Sequence, residues 1–262
     1  MGYHVDRKKI GERSYVLVSP DEAPASALLL FFHGSQQSGN VARNFTARTF
    51  DDLTARGVAV AYPNGVANHF NDARLDYDEK TRKLGIDDVG FTRDIVAELG
   101  LSTVFAAGFS NGGQMVLRLL HDAPGLLSGA ATIAASLPTD DNLLPDLGTP
   151  VPTPLLMIHG TGDRIVPYEG GRAGTANQRR GTVRSAVAAA EYFAQANGSA
   201  EHSVTEADGF RMDRWDGGAP VQLITVEGMG HLVPAPHDVD ERLGPGTRAF
   251  AAADVIADFF EL

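Results

Sequence analysis

The sequence predicts an α/β fold, a mostly parallel central sheet with helices on both faces. Three observations lead there. Short unbroken apolar runs recur at Ala27–Phe32, Val58–Tyr62, Val104–Ala107, Gly129–Ala134 and Pro154–Ile158, as expected of strands that bury both faces. Segments with helical start and stop signals alternate with these runs. Several runs also end in glycine-rich turns that carry a reactive side chain, and open α/β sheets gather their working groups beyond the carboxyl ends of their strands.

Each element has its own signal. Residues 3–10 and 14–19 read as a hairpin turning at Gly11-Glu12-Arg13. The apolar run 27–32 ends in His33-Gly34-Ser35, and Asn40 is placed to cap a helix that runs to about Arg56 and stops at Gly57. The strand Val58–Tyr62 closes on Pro63-Asn64-Gly65, a strong turn signal. Residues 66–86 are polar and read as an irregular surface loop. Asp87-Asp88 opens a helix to Leu99, its acids at the positive end of the helix, and Gly100 stops it. A helix follows Ser110, and Pro138–Pro152 forms a loop between two strands. Val183–Ala196 is an alanine-rich helix, Phe210–Trp215 and Val221–Val226 are adjacent strands, and Ala251–Phe260 is the closing helix. No repeat or linker interrupts the pattern, so the chain reads as one domain over residues 1–262.

Composition removes several function classes. The 22 basic and 33 acidic residues give a net charge of −11, spread along the chain, which argues against nucleic acid or an anionic membrane as partner. With no cysteine there is no disulfide framework, thiolate metal site or cysteine nucleophile. No run approaches the ~18 apolar residues of a membrane span. No apolar core follows Arg7-Lys8-Lys9, so a cytoplasmic protein is the expectation, or a secreted one if a leader has been removed. Asp72, Asp76, Asp78 and Glu79 crowd one loop but lack the glycine and closing glutamate of a calcium loop. They read as a solvated acidic loop, and no metal or other cofactor is expected.

The chemistry concentrates at Gly108-Phe109-Ser110-Asn111-Gly112. An apolar strand before it and a helix after it make this a sharp strand-to-helix turn with one serine at its apex. A serine hydroxyl needs a histidine to take its proton, and the histidine needs an acid to hold its tautomer. Asp163, after Gly160-Thr161-Gly162, and His231, after Gly228-Met229-Gly230, each follow a separate strand in the order Ser…Asp…His expected on an α/β-hydrolase sheet. Asp140 and Asp141 are rival acids and His237 is the rival base; Asp163 and His231 are preferred because their glycine turns can aim them back over the serine. His33 and His159 precede glycine at strand ends, where a neutral ring ties down backbone. The oxyanion needs two N–H donors: the Asn111 amide is one, and Ser35 or Gln36 supplies the other. Tyr62, Asn64, Trp215 and Leu232 are candidates to line the substrate pocket, with a core position as the alternative for Trp215.

A resemblance extends this reading. Phe32-His33-Gly34-Ser35-Gln36-Gln37-Ser38-Gly39, Tyr62-Pro63-Asn64-Gly65, Asp87-Asp88-Val89-Gly90-Phe91, Gly108-Phe109-Ser110-Asn111-Gly112-Gly113 and His159-Gly160-Thr161-Gly162-Asp163 are blocks of one pattern. With Trp215, Gly228-Met229-Gly230-His231 and the ending Ala253–Phe260, it resembles the polyhydroxybutyrate depolymerase and feruloyl-esterase group of α/β hydrolases. The resemblance spans residues 31–260. It implies the α/β-hydrolase fold, Ser110, Asp163 and His231 as triad, the Ser35/Gln36 loop in the oxyanion hole, and Asp87-Asp88 as a structural helix start. The chain has Leu232-Val233-Pro234 where that group tends to have Trp-Pro-Gly. The expected activity is a serine carboxylesterase forming an acyl-enzyme on a small or medium ester, with phenolic (feruloyl-type) and acetyl esters ahead of hydroxyalkanoates. The same residues would serve a peptidase, lactone hydrolase or acyltransferase; a non-catalytic binding protein would require a broken triad.

Overall fold

Side-chain alternation along the central strands sets the layers. The computed structural model describes residues 2–236 and 243–262. Its strands are β1 (Tyr3–Ile10), β2 (Arg13–Pro20), β3 (Ala27–Phe32), β4 (Val58–Pro63), β5 (Val104–Phe109), β6 (Gly129–Ile133), β7 (Leu155–Gly160), β8 (Gly171–Thr175), β9 (Gln178–Val183), β10 (Glu201–Ala207), β11 (Phe210–Asp216) and β12 (Val221–Val226). Among the described residues, ten of these form one sheet in the order β1-β2-β4-β3-β5-β6-β7-β12-β11-β10, and β8 and β9 pair as a separate hairpin. The run from β4 to β12 is parallel, and antiparallel strands extend both edges.

In β3, Leu28, Leu30 and Phe32 enter one apolar cluster while Leu29 and Phe31 enter the other. The first cluster is closed by helices α3 (Asp88–Leu99), α4 (Asn111–Asp122) and α5 (Ala186–Ala196). The second is closed by α1 (Gly39–Phe45), the short turn Asp51–Arg56 and α6 (Ala252–Phe259). This is the α/β-hydrolase fold. Each fully buried Leu or Phe of β3 contributes roughly 1.5–3 kcal/mol to holding the layers together.

Three expectations need correction. The helix expected from Asn40 to Arg56 is two pieces. Ser38, not Asn40, caps α1 by accepting the Val41 N–H at 3.3 Å, and Ala47 and Arg48 turn the chain at φ 53° and 61°. The cause is the buried ion pair of Arg43 with Asp51 at 2.8 Å, two residues that a continuous helix would hold about 12 Å apart. Residues 66–86 are not a surface loop throughout, since Phe70, Asn71, Asp72, Ala73 and Arg74 are buried. That segment also contains the short helix α2 (Lys80–Lys83). Finally, the alanine-rich helix starts at Ala186, where the Ser185 hydroxyl caps it by accepting the Ala188 N–H, because residues 178–183 belong to β9.

Candidate active site

Ser110 stands between β5 and α4 with φ 54° and ψ −117°, a region that costs a non-glycine residue on the order of 1–3 kcal/mol. Its surroundings hold it there. The Ser110 N–H donates to the Ile133 carbonyl at 2.9 Å, and its carbonyl accepts the Gln114 N–H at 3.0 Å. The approach of helix to sheet excludes any side chain at two positions. A Cβ on Gly112 would lie 2.0 Å from the Phe32 carbonyl oxygen, and one on Gly108 would lie 2.3 Å from the Gly112 oxygen. The first turn of α4 is thereby pressed against the end of β3, beside the turn that begins at His33.

Asp163 and His231 follow β7 and β12, which are parallel neighbours. Their exit loops are laced together. The Gly162 N–H donates to the Met229 carbonyl at 3.0 Å, and the Gly228 N–H donates to the Thr161 hydroxyl at 2.8 Å. The His231 N–H is fixed on the Leu243 carbonyl at 2.7 Å. The ring of His231 packs on Phe109, with centroids 4.9 Å apart.

These constraints bring three side chains into one chain of hydrogen bonds. His231 Nδ1 donates to Asp163 Oδ2 at 2.7 Å, and its Nε2 accepts from the Ser110 hydroxyl at 2.9 Å. The other Asp163 oxygen accepts the Ile165 and Val166 N–H groups, both at 2.8 Å. Burial alone would raise the pKa of Asp163. The His159 imidazole at 3.6 Å and the bonded His231 outweigh that effect and hold the carboxyl well below the usual range. Asp163 is therefore charged wherever the protein is folded near neutral pH, and it fixes the Nδ1–H tautomer that leaves Nε2 able to take a proton.

The amide groups around Ser110 differ in availability. Asn111 is the first residue of α4, so its N–H has no intrahelical acceptor. Gln36 has φ 64°, and its N–H donates to the Asn68 carbonyl at 2.9 Å. The turn is splinted by His33, which donates from Nδ1 to the Gly34 carbonyl at 2.8 Å and accepts the Gly65 N–H on Nε2 at 2.9 Å. Burial pushes His33 down to about 4, so it is neutral. The cleft in front of Ser110 has a volume of about 260 Å³ and is walled by the Ser35–Gln37 turn, Phe109, Ile165, Val166 and His231. Arg74, together with Gln178 and Arg180 of β9, closes it.

Comparison with known proteins agrees with this architecture. A family model described as Phospholipase/Carboxylesterase matches residues 90–191. "Putative esterase NocK" of Nocardia uniformis subsp. tsuyamanensis is 31% identical over 285 residues, spanning 94% of this chain and 78% of that protein. The chain belongs to the carboxylesterase family of α/β hydrolases. This carboxylesterase is thus a serine hydrolase acting on ester bonds. Feruloyl esterase B of Piromyces equi is 29% identical over 157 residues, covering 55% of this chain and 29% of that protein. In fold the carboxylesterase is similar to an acetyl xylan esterase from Aspergillus awamori, with a TM-score of 0.64 at 14% identity over 98% of this chain and 99% of that one.

The pocket-lining expectations are corrected by the structure. Tyr62 is fully buried and donates its hydroxyl to Asp51 at 2.8 Å, beneath the sheet rather than in the cleft. Trp215 pairs with Val221, the first residue of β12, and so lies at the opposite end of the sheet, stacked on His202 at 4.6 Å. Asn64 ties neighbouring segments together, accepting the Gly39 N–H at 2.9 Å and donating to the Ser14 hydroxyl at 3.0 Å. Leu232 is fully buried behind the histidine. The rival acid Asp140 is exposed and paired with Arg184, and His237 lies outside the described residues. The acidic loop is not simply solvated, because Asp72 is buried against Arg74 and Asn111. Sequence reasoning missed Arg74, Gln178 and Arg180 in the carboxylesterase. Their only signal was charge and polarity in segments with no strand or helix pattern.

Proposed function

We propose that the enzyme hydrolyses a small or medium carboxylic ester through an acyl-enzyme on Ser110, with His231 as general base and acid and Asp163 as its orienting partner. The unbroken Asp163–His231–Ser110 chain, with bonds of 2.7 and 2.9 Å at the floor of a cleft, carries this reading. His231 takes the hydroxyl proton as Oγ attacks the ester carbonyl, then returns it to the leaving alcohol. A water activated by the same nitrogen releases the acid. The oxyanion is met by the Asn111 N–H and by the Ser35 N–H; Gln36 is set aside because its N–H is already given to Asn68. A cleft of about 260 Å³ fits a small acyl or phenolic group rather than an extended polymer chain. The relative named feruloyl esterase B makes phenolic esters the first class to try, followed by acetyl and short hydroxyalkanoate esters.

Incubation with an organophosphonate followed by peptide mass mapping tests the assignment. The adduct is expected on Ser110, and Ser110→Ala is expected to lower kcat for p-nitrophenyl acetate by about 10³–10⁶-fold. An adduct on another residue, or hydrolysis persisting in Ser110→Ala, would refute the mechanism.

A further inference from the structure

The molecule carries a net charge of −11, yet among the described residues the Lys, Arg, Asp and Glu side chains that line the cleft at Ser110 are Arg74 and Arg180, with no carboxylate beside them. Both side chains are more than nine-tenths buried. Each spends one edge on a carboxylate behind it, Arg74 on Asp72 and Arg180 on Glu79 through its Nη2. Arg74 Nη1 and Arg180 Nε and Nη1 have no hydrogen-bond partner among the described residues and are not fully buried atoms, so they keep contact with the solvent space, which both side chains meet at the cleft.

The wall behind them is not electrically balanced. Arg74, Arg180 and Arg82 surround the buried Tyr77 ring at 4.5, 4.9 and 5.9 Å from its centroid. Among the described residues, the buried or half-buried carboxylates facing these three cations are Asp72 and Glu79. Asp72 gives part of its capacity to the Asn111 amide at 2.7 Å, and Glu79 has the His69 ring 3.6 Å away. Among the described residues the three guanidinium groups exceed these two carboxylates by one positive charge, and the guanidinium forks of Arg74 and Arg180 at the cleft match a carboxylate in shape as well as in charge.

We propose that the substrate of this cleft is an ester that also carries a free carboxylate, held by the open edges of Arg180 and Arg74 while Ser110 attacks the ester carbonyl. The proposal rests on the reading of Ser110 as nucleophile. Arg180 is the specificity-determining group, because it stands on the β8–β9 hairpin and reaches the cleft from outside the catalytic loops. Arg74 holds the same charge from the segment clamped beneath α4.

Two matched ester pairs test this by pH-stat assay. Monomethyl succinate against methyl 4-methylpentanoate puts the carboxylate on the acyl side, and acetoxyacetate against isobutyl acetate puts it on the alcohol side; in each pair an isopropyl group replaces the carboxylate. In at least one pair kcat/KM is expected to favour the carboxylate member by about tenfold or more. Arg180→Met is expected to bring that preference below about threefold, with Arg180→Lys intermediate. Equal kcat/KM within both pairs in the unmodified enzyme, which needs no variant to fold, overturns the proposal. So does a preference that Arg180→Met leaves intact. The two readings fail separately: Ser110 labelled by phosphonate with both pairs equal removes only the carboxylate site, whereas hydrolysis surviving in Ser110→Ala removes the nucleophile.

Discussion

His33 makes the clearest residue-scale argument about pH. Its ring is fully buried, and both nitrogens are spent on backbone groups that hold the turn carrying Ser35. Burial lowers its pKa to about 4 from 6.5. Between those values the unfolded chain binds a proton that the folded chain refuses, so stability falls as pH drops from 6.5 toward 4 and is fully restored above 6.5. The gap corresponds to about 3 kcal/mol. His33→Gln keeps an acceptor for the Gly65 N–H but cannot titrate. Urea denaturation should therefore show the difference between the two proteins narrowing by up to about 3 kcal/mol from pH 7 to pH 4. A difference that stays constant across that range would mean His33 is not held neutral.

Among the elements, the turn from β5 into α4 is where sequence and geometry meet most tightly. A methyl group on Gly108 would collide with backbone that cannot swing away, 2.3 Å from the Gly112 oxygen. Gly108→Ala should accordingly cost about 3 kcal/mol or more, whereas Ser110→Ala, which adds no atoms, should stay within about 1 kcal/mol. Comparable urea midpoints for the two variants would contradict this account of the elbow. The same comparison explains what was legible in the sequence. β3 was readable residue for residue because burial on both faces leaves only apolar side chains in the run. That Ser110, Asp163 and His231 come together was legible because each ends or follows a strand in a glycine-marked turn. The β8–β9 hairpin was not, since Gly171, Gly174 and Gly181 sit at positive φ and break any alternation. Nor was β10, exposed along its whole length and therefore without a patterned face. The cleft walls were unreadable for another reason: whether Tyr62 or Arg74 faces the serine depends on how a loop folds back, and no local period records that.

At the scale of the whole molecule, the arginines of the cleft and Ser110 share a foundation. The Asn111 side chain exchanges two hydrogen bonds with the Phe70 backbone and gives a third to Asp72, which in turn anchors Arg74. The residue that follows Ser110 thus fastens the segment that supplies one of the two cleft arginines. Arg180 stands apart from that arrangement, pinned by Glu79 on a hairpin outside the main sheet. Saturation mutagenesis should expose the asymmetry: replacements at position 180 should mostly stay soluble with altered substrate ranking, while replacements at 74 should mostly lose soluble yield. Equal tolerance at both positions would show the two arginines to be equally dispensable to the fold. For anyone redirecting this enzyme to a new ester, the Asn111–Asp72–Arg74 chain marks one wall as foundation and leaves the hairpin as the adjustable part. Natural divergence of substrate preference would meet the same asymmetry, with drift free to run along β9 and arrested at residue 74.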